Sequence, residues 1–237
     1  MDIKEIDILG AYIGEHWYYR AKLAALRRLL AGVRFRRILD VGAGSGFFSR
    51  ELLRSSDAQE VVCVDTSYPE AWSEGEGDKT IHFQREVDAV TADLVLLMDL
   101  LEHVEDDVGL LLEYVKKAPS GAKIVVSVPA FSFLWSGHDL FLEHKRRYTL
   151  AQTEAVMRSA GLVVDRGCYF FATVFPLAVL RRLGGRLRGG LEVPRSDLQR
   201  HSRWVNALLF RACWLELPWV QYNRLFGLSV FCVAHKP

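Results

Sequence analysis

Residues Arg37-Ile38-Leu39-Asp40-Val41-Gly42-Ala43-Gly44-Ser45-Gly46-Phe47-Phe48 set a buried-strand pattern, a glycine loop and a helix start in immediate succession. Nothing else in the chain constrains the fold as tightly. Glycines at alternate positions admit backbone conformations closed to other residues, and they let a ligand approach the main chain just ahead of helix amides. The spacing narrows the ligand: a dinucleotide fingerprint needs its third glycine where Phe47 stands, and no Gly-Lys-Ser/Thr follows to make a Walker loop. A second apolar run, Val61-Val62-Cys63-Val64, ends in Asp65 about a helix-length downstream. In doubly wound folds a carboxylate there accepts hydrogen bonds from the hydroxyls of a bound ribose; the alternative is that Asp65 caps the turn Thr66-Ser67-Tyr68-Pro69.

The remaining elements follow in the order a parallel sheet needs. The pattern predicts a helix over 12–30, a strand over 38–41, a crossover helix over 47–53 and a second strand ending at Asp65. A polar loop over 68–79 and a weak strand over 81–84 lead to Asp93-Leu94-Val95-Leu96-Leu97-Met98, a run apolar enough to be covered on both faces. A helix over 106–117, a strand over 123–128 and a helix over 149–160 come next. The last is punctuated by a Thr149/Gln152 capping box and by Gly161. A strand over 162–170 and an antiparallel partner over 228–234 close the series, separated by a long segment, 171–227.

The Asp-x-Gly-x-Gly-x-Gly run, with Asp65 behind it, resembles the first motifs of the class I S-adenosylmethionine-dependent methyltransferases. That resemblance implies an α/β, doubly wound, Rossmann-like sheet of seven strands whose last strand is antiparallel. It assigns residues 1–170 with 228–237 to the cofactor-binding domain and leaves 171–227 as a helical insert. It implies that Asp40 holds the amino-acid end of the cofactor, that Gly42, Ala43, Gly44 and Gly46 form the loop beneath it, and that Asp65 and Thr66 sit at the ribose. Leu97-Met98-Asp99-Leu100-Leu101-Glu102-His103-Val104 resembles the family's segment after the fourth strand, implying that Met98, Asp99, Leu100 and His103 flank the adenine and methionine portions. His103 also admits a packing role. Glu15-His16-Trp17-Tyr18-Tyr19-Arg20 is similar to an N-terminal segment of some members, in which Trp17 would cover the cofactor and Arg20 pair with its carboxylate; an amphipathic helix packed on the sheet reads equally well. The acid expected near the adenine amine has two rivals, Glu86 and Asp88.

Methyl transfer asks mainly for alignment and exclusion of water, so the residue-specific question is who takes the acceptor's proton. Pro129 to Tyr148 is rich in aromatics, His and Arg, which makes His138 the candidate base and Arg146 and Arg147 candidate anion ligands, against a reading in which they cap turns and face solvent. No metal is expected, because His138 and His144 with one aspartate between them do not specify a coordination shell. In the insert, Arg181, Arg182, Arg186, Arg188, Arg195, Arg200 and Arg203 are opposed only by Glu192 and Asp197, and a Leu-, Phe- and Trp-rich stretch follows over 204–219. Such a pattern suits an anionic membrane surface, a lipid tunnel, or a lid packed on the sheet.

A net charge of +1 and the lack of a recognition module argue against nucleic acid as acceptor. Four cysteines without paired spacing, and a start lacking a signal-peptide pattern over Met1–Glu5, give a cytoplasmic expectation with a candidate membrane contact. The function expected is methylation, at oxygen in preference to other atoms, of a small or amphipathic acceptor, with lipid-linked molecules included in that class. A non-catalytic cofactor-binding module and a nicotinamide oxidoreductase are the alternatives, and oligomeric state is left open.

Overall fold

The computed structural model describes residues 8–89, 91–187 and 193–237. Met1–Glu5, Arg188 and Glu192 lie outside the described residues, as does the side chain of Arg186. A 3-10 turn, Gly10–Gly14, precedes helix α1 (Trp17–Leu29), so the single helix expected over 12–30 is in fact two elements. The break falls at His16, whose extended backbone and ring nitrogen, accepting from Tyr18 N–H, cap the second element.

Strand β1 (Arg37–Val41) and helix α2 (Phe47–Ser55) flank the glycine loop, and β2 (Glu60–Val64) pairs parallel with β1. Strands β3 (Trp72–Glu76) and β4 (Lys79–Gln84) form an antiparallel hairpin at one edge, and β5 (Leu94–Met98), wholly buried, lies on the other side of β1. Helix α3 (Asp107–Lys117), β6 (Lys123–Pro129), helix α4 (Gly137–Phe141), helix α5 (Leu150–Ser159) and β7 (Val163–Phe170) complete the crossovers. Helices α6 (Phe175–Leu187) and α7 (Arg203–Glu216) and a 3-10 turn, Leu217–Tyr222, then lead to β8 (Ser229–His235).

The sheet order is β3-β4-β2-β1-β5-β6-β8-β7, with β8 antiparallel to both of its neighbours. Eight strands stand where seven were expected. The extra one is β3, inside the expected polar loop: Gly77-Asp78 makes a two-residue turn, and Arg50 and Arg54 of α2 form ion pairs with Glu74 and Glu76, pinning a polar strand to the edge. Its one aromatic, Trp72, stacks on Phe83 at 4.4 Å.

Alternation along the strands sends Ile38, Leu94 and Leu96 into a core beneath α1, α2 and α7, and Leu39, Val41, Val95 and Leu97 into a core beneath α3 and α5. All four cysteines are free and buried. Helix α7 docks on the start of α1: Trp17 N–H donates to Asn206 Oδ1 at 2.8 Å, and Asn206 Nδ2 donates to Glu15 O at 2.8 Å. Among the described residues no helix is long and apolar enough to cross a membrane.

Candidate active site

The sheet order reverses between β1 and β5, so the segments leaving these two strands open a crevice at their carboxyl ends. The glycine loop and Asp40 stand on the β1 side, Asp65 follows β2, and Met98, Asp99 and Leu100 lie on the β5 side. Gly44 N–H donates to Asp65 Oδ2 at 3.0 Å, which ties loop to acid, while Tyr68 donates its hydroxyl to Gly44 O at 2.6 Å. Leu100 fills the space over Gly42: a Cβ there would fall 2.6 Å from its Cδ1, at a backbone φ of +66°. Asp40 is fully buried, and burial pushes its carboxyl up to about 6, with the Asp65 charge adding to the shift and a hydrogen bond from Ser49 opposing it. Thr66 is exposed in the turn after Asp65, and Glu86 and Asp88 are both exposed beyond β4.

A residue the sequence reading passed over stands at the centre. Lys22, on the apolar stripe of α1 with Tyr19, Leu23 and Leu26, is completely buried and donates to both carboxylate oxygens of Asp99. Burial alone would lower its ammonium; facing Asp99, Tyr18 and Glu102, it is instead held above the usual lysine range. The signal was a lysine at a helix position whose period demands an apolar side chain. Arg20, expected at the cofactor carboxylate, goes elsewhere: it is exposed, and its guanidinium lies 4.1 Å from the centroid of the Phe210 ring on α7, a cation–π contact.

Beside Asp99 opens a cavity of about 430 Å³. It is lined by Trp17, Tyr18, Asp99, Glu102, His103 and His144, by Val174, Leu177 and Ala178 of α6 and its approach together with Arg181 and Arg182, and by Leu198 and Leu209. Trp17 thus reaches the cavity, with its Nε1 buried and lacking a hydrogen-bond partner. Three strands enter this region through non-glycine residues in the left-handed region: Asp99 (φ 53°) after β5, Phe131 (φ 56°) after β6 and Phe171 (φ 66°) after β7. Phe171 stacks on Tyr18 at 5.0 Å.

The segment read as a loop after β6 contains α4, whose Ser136/Asp139 capping box also organises its neighbours. Asp139, fully buried, accepts from His144 Nδ1 at 3.0 Å and from both ends of the Arg147 guanidinium at 2.7 and 3.0 Å. Burial works to raise its carboxyl, but His144 and Arg147 overcome this and hold it far below the usual range. Arg147 is therefore consumed by Asp139 and Ala130 O, and Arg146 by Glu105 and Asp107, so neither is left for an anionic acceptor.

His138 is corrected as well. It lines the cavity, but its Nδ1 accepts from Asp197 N–H at 3.2 Å, and burial lowers its pKa to about 4 against the pull of Asp197 and Asp139. A neutral imidazole accepting at Nδ1 carries its proton on Nε2, so its lone pair is already committed and the base role does not fit.

Residues 15–172 match the family model described as a methyltransferase domain. The chain belongs to that family. It is a class I S-adenosylmethionine-dependent methyltransferase. No curated protein matches the chain. Similar solved structures include a chain of the Haloferax volcanii complex between the Trm112 methyltransferase activator and a methyltransferase candidate, at 17% identity over 98% of this chain and 96% of that one, TM-score 0.55. Phosphoethanolamine N-methyltransferase 2 of Haemonchus contortus with S-adenosyl-L-methionine matches at 17% identity, covering 92% of this chain and 53% of that one, TM-score 0.54. The [4+2]-cyclase SpnF matches at 14% identity over 92% of this chain and 80% of that one, TM-score 0.53, so the fold alone does not name a reaction.

In the methyltransferase, two substitutions probe the buried charges. Lys22→Met removes the cation facing Asp99 and should cost about 3–5 kcal/mol in urea unfolding; adding Asp99→Asn, which tolerates the left-handed backbone, should recover part of the loss. For Asp40, the folded-state value of about 6 exceeds the ordinary aspartate value of 3.8, so its contribution to stability is complete below pH 3.8 and is lost as pH rises through 6. Asp40→Asn should therefore stabilise the protein at pH 7.5 by about 1–3 kcal/mol and leave it nearly unchanged at pH 3.5, read from urea unfolding at the two pH values.

Proposed function

We propose that this methyltransferase methylates an oxygen of an amphipathic acceptor, with lipid-linked molecules included in that class, and that residues 171–227 form an insert covering the acceptor. The observation that carries the reading is the mixed lining of the cavity: charged and imidazole groups such as Asp99, Glu102, His103 and Arg182 beside leucine, valine and alanine from α6 and α7. An acceptor with a polar reacting end and an apolar body matches that lining.

When bound, S-adenosylmethionine supplies an electrophilic methyl group on its sulfonium. The chain's residues supply position and dryness. Asp40 offers its carboxylate to the cofactor's amino group, and the backbone of Gly42, Ala43, Gly44 and Gly46 lets the ligand lie close to the loop. Asp65 is the ribose ligand, exchanging its bond from Gly44 N–H for the two hydroxyls. Met98 and Leu100 pack against the flat parts of the nucleoside, and Asp99, fixed by Lys22, stands between cofactor crevice and acceptor cavity. Trp17, Tyr18 and Phe171 wall the acceptor side from water. His103 belongs to the acceptor end, beside Glu102 and His144.

The exposed face of the insert supports a lipid source for the acceptor. Leu177, Leu180, Trp204, Leu208, Leu215 and Trp219 are all exposed, with Trp204 at 88%, and Arg203 and Arg211 are exposed on the same helix as Trp204. Aromatic and aliphatic side chains interleaved with arginines suit the headgroup layer of an anionic bilayer.

Titration calorimetry with S-adenosylmethionine should give saturable binding that Asp65→Ala weakens by about 1–3 kcal/mol, and no binding of NAD; unchanged affinity would remove Asp65 from the ribose site. Sedimentation should carry the protein down with vesicles containing anionic lipid and release it in high salt. Equal recovery with neutral and anionic vesicles at every salt concentration would remove the arginines from the contact.

A further inference from the structure

Where the cavity meets the segment after β5, the structure holds an arrangement that methyl transfer from S-adenosylmethionine does not itself require. Glu102, from the 3-10 turn after β5, is 1% exposed, and neither of its carboxylate oxygens has a hydrogen-bond partner. A carboxyl orphaned in this way is expensive to bury, and such groups in native structures call for an unseen partner. Its nearest metal-capable neighbours come from two parts of the chain: His103, adjacent in sequence, and His144, which β6 and α4 bring back across the cavity. The ligand-capable atoms of Glu102, His103 and His144 all lie within 4.8 Å of one another, and the two imidazoles meet edge to face at 4.7 Å between centroids. Small side-chain rotations contract that span to the roughly 3–3.5 Å separating ligand atoms around a cation with bonds of about 2.1 Å.

We infer that Glu102, His103 and His144 bind one first-row divalent cation, with open coordination positions directed to the acceptor cavity. The surroundings are those of a ligand set held ready. His144 donates Nδ1–H to the ionised Asp139, which leaves its lone pair on Nε2 and fixes the ring; Asp139 is in turn gripped by Arg147. A carboxylate behind a metal-binding histidine sets its tautomer and raises its basicity. The neighbouring positive charge, Lys22, is already neutralised by Asp99 and does not repel a second cation at full strength. Two imidazoles and one carboxylate suit zinc, manganese, iron, cobalt or nickel better than magnesium or calcium.

The consequence for the acceptor rests on the proposed reading of the cavity. An oxygen acceptor with a second donor atom nearby would chelate the cation, and the cation would lower the pKa of the hydroxyl to be methylated, a task His138 is not placed to perform. The site itself stands independently of that reading.

The test uses chelator-treated full-length protein titrated with Co²⁺, read by its visible d–d absorption, and with Zn²⁺, read by calorimetry. One equivalent per chain is expected for each. Glu102→Gln and His144→Ala should each weaken binding at least about tenfold, while His82→Ala, far along the chain on β4, should leave it unchanged. His103→Gln serves where either of the first two variants fails to fold, as judged by circular dichroism. Absence of stoichiometric binding to the wild type, or binding undiminished in every folded ligand variant, overturns the site. S-adenosylmethionine is titrated into the same preparations. Its binding without cation binding overturns this inference alone, whereas cation binding without it upholds the site and overturns the cofactor geometry instead.

Discussion

The buried pair of Lys22 and Asp99 is the joint on which the two halves of the site turn. Lys22 comes from the first helix and Asp99 from the end of the central strand, so one interaction anchors α1 over the point where the sheet reverses. Either charge alone would be costly at that depth, and neither could be removed singly without leaving its partner stranded. The pair also sets local geometry. Asp99 turns out of β5 in the left-handed region, Leu100 then closes over Gly42, and the next turn delivers Glu102 and His103 to the cavity. The crevice at the strand ends and the cavity beside it thus meet at a residue whose orientation is electrostatically pinned.

Much of this was legible in the chain. The glycine loop, Asp65 and the apolar run at 94–98 are local signals, each carried by a few adjacent residues whose backbone or burial demands are strong, and the parallel order of the sheet follows from them. What escaped depended on distant partners. Strand β3 is polar and becomes a strand because Arg50 and Arg54 neutralise its glutamates. Lys22 looked like one more helix lysine until Asp99 faced it. The sequence singles out His138 as a base and gives His144 no role, whereas in the fold His138 is bonded by Asp197 and His144, held by Asp139, lies beside Glu102 and His103. Arg20 fits its segment's resemblance on paper, yet Phe210 supplies a nearer face. Side-chain roles that require two separated segments to meet leave little trace in either one.

The walls of the cavity differ in kind from its floor. The floor rests on strand ends where three non-glycine residues hold strained backbone, stabilised by the packing of Tyr18, Tyr169 and their neighbours around them. The walls are helices that line the cavity with leucine, alanine and the two arginines Arg181 and Arg182, and whose exposed faces mix leucine and tryptophan with arginine. Those exposed faces belong to the segment between β7 and β8 and lie outside the sheet.

One further feature fixes the roof. The stretch after α6 crosses α4 at Gly137, where Arg195 N–H donates to Gly137 O at 3.1 Å and a Cβ on Gly137 would stand 2.2 Å from Val193 O. From that crossing the chain runs on to place Asp197 against His138 and Arg182, and Gln199 O against His16. The roof is therefore registered by the absence of a single carbon. Any side chain at this point would lift the strap from its helix and shift every contact downstream of it, so the shape of the cavity is written as much in a missing methyl group as in the residues that line it.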